Sequence, residues 1–164
     1  SLNEVLIDSA LQQPLVCVHR DFHSRNLMVL EQANPGVIDF QDAVIGPVTY
    51  DLVSLLKDCY IDWPDNRIDV WRESYLARLK PAGLVDCSSA TFKRWFDLMG
   101  MQRHLKAIGI FSRLHLRDGK SGYLKDIPRT LEYVRKVAEN YPELAEFHHY
   151  LNRKILPDFA ETNP

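Results

Sequence analysis

The stretch Val16-Cys17-Val18-His19-Arg20-Asp21-Phe22-His23-Ser24-Arg25-Asn26-Leu27-Met28-Val29-Leu30, followed shortly by Gly36-Val37-Ile38-Asp39-Phe40, decides how this sequence is read. Two short apolar runs of β-forming type bracket a polar loop. That loop holds Asp21 and, five positions on, Asn26. A third apolar run then ends in Asp39. The pattern predicts a strand, loop, strand, turn, strand unit that sets three oxygen-bearing side chains at one edge.

Working outward, the N-terminal flank places Leu2, Val5, Leu6, Ser9, Ala10 and Gln13 at helical spacing, which predicts an amphipathic helix to about Gln13 stopped by Pro14. Strands follow at Leu15 to His19 and Leu27 to Leu30, and the turn signal Asn34-Pro35-Gly36 precedes a third at Val37-Ile38. Asp42 to Pro47 reads as loop, and Thr49 as the cap of a helix running from Tyr50 to about Cys59. Beyond that the chain reads as helical throughout. Asp62-Trp63-Pro64-Asp65 makes a break, and a helix with Ile68, Trp71, Tyr75, Leu76 and Leu79 on one face ends near Pro81-Ala82-Gly83. Ser88 or Ser89 caps a long segment from Ala90 to about Leu116 whose apolar residues recur three or four apart. Asp118 to Gly122 breaks it, Pro128 opens another helix that reaches Tyr141-Pro142, and a last one spans about Glu143 to Ile155.

Composition sets the class. A chain of 164 residues, 46% hydrophobic and 26% charged, is long enough to bury a core as one domain over 1–164. Twenty Lys and Arg against 22 acidic residues give a formal net charge of −2, which offers no basic footprint for nucleic acid or an anionic membrane. Cys17, Cys59 and Cys87 show no paired spacing of the zinc or disulfide kind, and the expected setting is the reducing cytoplasm. No stretch is apolar for long enough to span a bilayer or to act as a signal peptide.

Asp21, in a loop just after a strand, is placed to take a proton from an incoming hydroxyl. Asn26 and Asp39 are hard oxygen ligands, and so sparse a pair suits Mg²⁺ shared with phosphate oxygens better than an all-protein cage. His19, Asp21 and His23 as hydrolase metal ligands is the weaker reading, because the remaining histidines lie far along helices.

His19-Arg20-Asp21 with Asn26 and then Ile38-Asp39-Phe40 resembles the catalytic and metal-binding loops of the protein-kinase-like superfamily. His23, with Gln41-Asp42-Ala43, Gly46-Pro47 and Asp51-Leu52, narrows the resemblance to the aminoglycoside phosphotransferase family. Tyr50 to Pro64 and Arg103 to Phe111 are similar to the anomeric kinases that phosphorylate N-acetylmuramate and N-acetylglucosamine at C1 in cell-wall recycling.

The resemblance implies an α+β, mainly α fold: the C-terminal lobe of a kinase-like architecture, with a small β-hairpin catalytic unit on a helical body. It implies ATP and Mg²⁺, with Asp21 as catalytic base, His23 beside the transferring phosphoryl group and Asn26 and Asp39 on the metal. His19 and Asp51 would be structural supports. Gln41 stands where protein kinases have the Gly of Asp-Phe-Gly, and a helix follows too soon for an activation segment, so a small-molecule acceptor is expected. No glycine-rich loop or strand lysine precedes the catalytic stretch, and the sequence opens without Met in a helix. The expectation is therefore a lobe that needs a missing N-terminal nucleotide lobe and is inactive by itself.

For the acceptor, Tyr60, Asp58, Asp62 and Trp63 are the aromatic and carboxylate candidates, and Arg103 is a further one. Trp71 and Trp95 fall on periodic stripes and read as core. Arg103, His104 and Lys106 share a helix dense in apolar residues, so one of them can point into the cleft while a core or solvated position is the leading reading for each, and His148-His149 reads as a solvated face. Asp42 reads equally as a partner of the metal ligands or a loop residue, while Arg20 and Arg25 could meet phosphates or brace the loop. An aminoglycoside, a choline-like alcohol or a homoserine-like acceptor is the alternative within enzymes. A non-catalytic kinase-like binding module is the alternative outside them.

Overall fold

The computed structural model describes residues 1–162. Helix α1 (Leu2–Leu11) leads into strand β1 (Leu15–Val18), and a short 3₁₀ turn at Ser24–Asn26 precedes β2 (Leu27–Met28), β3 (Gly36–Val37) and β4 (Val44–Pro47). Helices α2 (Tyr50–Leu56), α3 (Asp65–Leu79), α4 (Ser89–Asp118), α5 (Ile127–Asn140), α6 (Ala145–Tyr150) and α7 (Leu156–Thr162) make up the rest. This is the mainly helical α+β arrangement expected. None of these helices is long and apolar enough to cross a membrane.

The strands pair differently from a single three-stranded unit. Strand β1 runs antiparallel to β4, with Val16 opposite Gly46 and Val18 opposite Val44, while β2 and β3 form a separate antiparallel hairpin. The segment Asp42–Pro47, read from sequence as loop, thus contains a strand. Its polar start and its Gly-Pro end mask the pairing, yet Gly46 fits because a Cβ there would lie 2.8 Å from Val18 Cγ2. The β2–β3 hairpin is thereby carried out as an excursion between two paired strands.

The long helix is where the sequence signals are clearest. Ser88 Oγ accepts from Thr91 N at 3.0 Å, closing the N-terminus of α4. At the other end Gly119 takes φ +66°, with its N–H donating to the His115 carbonyl and that of Lys120 to Leu114. Between these caps α4 passes through three apolar cores. Phe92, Trp95, Phe96 and Met99 pack with α2 and α3; Leu98 and Met101 pack with Leu6 and Val134, Val137 and Ala138 of α5; Phe111 packs with Ile127 and Leu131. Trp95 is buried, and Trp71 packs against the first core.

Two further differences concern helix ends. Helix α2 stops at Leu56 rather than near Cys59, because the chain turns to bury Asp58. The hydroxyl of Thr49 does not cap α2; it donates to Gln13 Oε1 at 2.6 Å, joining the end of α1 to the start of α2 in a buried contact. The last helix expected over about Glu143 to Ile155 is broken into a 3₁₀ turn at Pro142–Leu144, α6 and a π turn at Leu151–Ile155, and the chain continues beyond it as α7.

Candidate active site

The loop after β1 is set by backbone geometry first. Arg20 has φ +78° and Asp39 has φ +66°, both in the left-handed region that non-glycine residues seldom adopt. Such conformations persist only where the surroundings over-determine them. For Arg20 they do: its N–H and that of His19 donate to the two oxygens of Asp51, at 3.0 and 2.6 Å, and its carbonyl accepts from Arg103 Nη1 at 3.0 Å. The residue before Asp21 is therefore clamped from both sides by helices α2 and α4.

His19 reaches across to the metal-loop side. Its Nε2 donates to the Ile38 carbonyl at 2.9 Å, which fixes the backbone leading to Asp39. Asn26 Nδ2 donates to the Asp21 carbonyl at 2.9 Å and, more weakly, to Asp39 Oδ2 at 3.4 Å. Gln41 Nε2 donates to Asp39 Oδ1 at 2.7 Å, so the position of the missing glycine supplies a brace. Asp21, Asn26 and Asp39 are thus brought to one edge, and among the described residues no hydrogen bond occupies the Asp21 carboxylate.

A cavity of about 180 Å³ opens beside this edge, lined by Asp21, His23, Tyr60, Arg103, Lys106 and Ile110 among others. The ring of Tyr60 is wedged between two loop residues. Arg25 lies 3.5 Å above its centroid and His23 meets it edge-on at 5.7 Å. Burial raises the Tyr60 phenol above its ordinary range, which keeps it neutral.

The other expected acceptor groups are dispersed. Asp62 accepts from the Tyr133 hydroxyl at 3.1 Å, and Trp63 packs edge-on against Trp71 at 5.2 Å along a separate apolar groove with Tyr75; neither lines the cavity beside Asp21. Arg103 does line it, but its guanidinium is engaged with the Arg20 carbonyl, Ser54 Oγ and the Tyr50 ring. Asp42 is exposed in the loop ahead of β4.

Asp58 carries a function that spacing alone did not reveal. Its buried carboxylate accepts from Ser24 N and Ser24 Oγ at 3.1 and 2.7 Å, and from Tyr60 N at 2.9 Å. It holds the loop between β1 and β2 from behind, through Ser24, and its oxygens are taken up there and by Tyr60. His104 is likewise structural: it is 2% exposed, donates through Nε2 to the Lys57 carbonyl at 3.0 Å and stacks on Tyr133. Burial drives its pKa down to about 3, so the ring is neutral.

The sequence that builds this loop has relatives among known proteins. The sequence model of the phosphotransferase enzyme family matches residues 2–87, which takes in β1 through β4, α2 and α3. The chain belongs to the phosphotransferase enzyme family. Within curated proteins the chain is 52% identical over 146 residues to the N-acetylmuramate/N-acetylglucosamine kinase of Pseudomonas putida, covering 88% of the chain and 43% of that relative. It is 47% identical over 160 residues to the kinase of the same name from Neisseria meningitidis serogroup B, covering 97% and 48% respectively. Against that of Pseudomonas aeruginosa it is 48% identical over 159 residues, covering 96% and 46%. The chain therefore spans less than half the length of these relatives.

Proposed function

We propose that this chain is the acceptor-binding, catalytic-loop half of an ATP-dependent small-molecule kinase that phosphorylates the C1 hydroxyl of an N-acetylated amino sugar. The observation that carries the reading is the hydrogen-bonded convergence of Asp21, Asn26 and Asp39, of which Asp21 lines the Tyr60 cavity, in a chain about half identical to N-acetylmuramate/N-acetylglucosamine kinases. Asp21 would orient the sugar hydroxyl and accept its proton as the oxygen attacks the terminal phosphorus of ATP and the bond to ADP breaks. His23, on the same cavity wall, would steady the transferring group.

The residues present fit Mg²⁺. With the Asn26 amide protons directed to the Asp21 carbonyl and Asp39, its Oδ1 remains as an acceptor next to a carboxylate, a pair of hard oxygens. Among the described residues no group of three or more His, Cys, Asp or Glu is gathered for a metal, so the remaining ligands would be phosphate oxygens and water. Bound there, the ion would neutralise phosphate charge, while the chain's own part is to hold Asn26 and Asp39 still.

The rest of the polypeptide is assigned to the exposed apolar side of the β unit. Val29, Ile45 and Phe40 are 94%, 69% and 67% exposed, large apolar side chains that an N-terminal nucleotide-binding half would cover. A cationic acceptor such as an aminoglycoside is less favoured, because the cavity wall carries Lys57, Arg103 and Lys106 against Asp21 and Asp58.

The test is Asp21→Asn in the natural polypeptide that carries this chain, assayed for ATP-dependent phosphorylation of N-acetylglucosamine. Loss of a general base predicts a kcat at least about 100-fold lower with KM little changed. A rate near that of the unaltered protein would remove Asp21 from the chemistry.

A further inference from the structure

Three cationic side chains line the cavity beside Asp21, and they differ in what already neutralises them. Lys57 Nζ pairs with Asp97 at 3.1 Å. Arg103 is held by the Arg20 carbonyl, Ser54 and Tyr50. Lys106 is exposed, and among the described residues it has neither an ion pair nor a hydrogen bond. The lining carboxylates do not answer it: Asp58 is occupied by Ser24 and Tyr60, and Asp21 belongs to the reacting hydroxyl.

Position makes the free ammonium useful. Lys106 follows Arg103 by three residues and precedes Ile110 by four, so the three share the face of α4 that forms one wall of the cavity, with Ala107 between them. One end of the cavity thus holds the carboxylate that would take the hydroxyl proton, and this wall offers an uncompensated positive charge on a long, adaptable stem.

We propose that Lys106 is the counter-ion for a carboxylate on the acceptor, so that the site favours an anionic N-acyl amino sugar over its neutral counterpart. The proposal rests on the amino-sugar kinase reading above. N-acetylmuramate and N-acetylglucosamine, the two sugars in the relatives' name, differ by a lactyl ether that ends in a carboxylate. The neutral sugar would leave the Lys106 ammonium hydrated, so such a site could take both sugars while binding the anionic one more tightly.

The experiment is Lys106→Met and Lys106→Arg in the natural polypeptide, with kcat and KM measured for both sugars at two salt concentrations. The ratio of kcat/KM for the anionic over the neutral sugar falls about tenfold in the Met variant, through the KM of the anionic sugar, and the Arg variant restores most of it. In the unaltered protein the same ratio declines as salt rises, and in the Met variant it does not. A parallel change for both sugars, which would tie Lys106 to the nucleotide or the fold, overturns the proposal, as does an unchanged ratio. If the unaltered polypeptide phosphorylates both sugars, those results bear on Lys106 alone. If it phosphorylates neither, the amino-sugar reading fails and the Lys106 assignment falls with it.

Discussion

The helical body from Tyr50 to Leu151 folds around three apolar cores threaded by α4, whereas every residue from His19 to Ile45 is half-buried or exposed. Yet the second region carries Asp21, Asn26 and Asp39. Its strands are two to four residues long, too short to be stable as free hairpins. What holds it is a small set of polar attachments to the body: Asp51 to His19 and Arg20, Arg103 to the Arg20 carbonyl, and Asp58 to Ser24. The difference teaches that stability and site alignment reside in separable residues. Packing supports the scaffold, and charged hydrogen bonds aimed at backbone groups set the loop.

The largest effect that would break this comparison lies in the body. Phe96 is fully buried in the first core, so Phe96→Ala should lower unfolding free energy by about 3–5 kcal/mol, read from the denaturant midpoint. A loss under about 1 kcal/mol would mean that core does not carry the body.

Next comes an attachment. Asp58→Ala leaves Ser24 N–H, its hydroxyl and Tyr60 N–H without their acceptor, at a cost of about 2–3 kcal/mol. Hydrogen exchange at Ser24 to Asn26 should quicken while amides in α4 stay protected. Uniform quickening would show that loop and body open as one unit.

A smaller effect is read through pH. His104 is neutral in the folded protein with its pKa near 3, and the unfolded chain takes up a proton below about 6.5. The unfolded state therefore binds more protons in that window. Its contribution is fully present above about pH 6.5 and is lost as pH falls toward 3, at a slope of up to about 1.4 kcal/mol per pH unit. His104→Gln, which can keep a donor for the Lys57 carbonyl, should flatten the stability profile between pH 7 and pH 5 by that amount. An unaltered slope would place the ring's protonation elsewhere. Asp97 adds a smaller drift in the same direction at lower pH. Burial pushes its carboxyl up, but Lys57 and Lys93 outweigh this and hold it below the usual range.

The smallest is Ser88→Ala at the α4 cap, about 1 kcal/mol by thermal or chemical unfolding with catalysis untouched. A change in kcat here would show that the end of α4 is coupled to the loop.

Much of this division was legible in the sequence. The His19, Asp21, Asn26 and Asp39 spacing lies within one short stretch of chain, so the strand-loop-strand pattern shows which residues share an edge, although Asp51, Arg103 and Asp58 are what hold them there. The long helices announce themselves by apolar period and by Ser88, Gly83 and Gly119. Strand β4 was not legible, because its residues pair with β1 across 26 to 32 positions, from Val18 against Val44 to Leu15 against Pro47, and its own residues carry turn chemistry. Nor were the directions of Asp58, Asp62 and Trp63. They sit within six residues of one another in an irregular segment, where no period tells which side chain turns inward toward Ser24, toward Tyr133 or toward Trp71.

The clamp on Arg20 turns α4 into a gauge of length. Arg103 and Lys106 owe their places to the number of helical residues separating them from Phe92, Phe96 and Met99, which are anchored in the first core. Side chains along that span can drift if they keep their size and polarity, but its residue count cannot. One residue inserted after Met99 would swing Arg103 by about 100° and move it about 1.5 Å along the axis, off the Arg20 carbonyl altogether. Sequences descended from this one should therefore vary in the surface letters of α4 while conserving its phase.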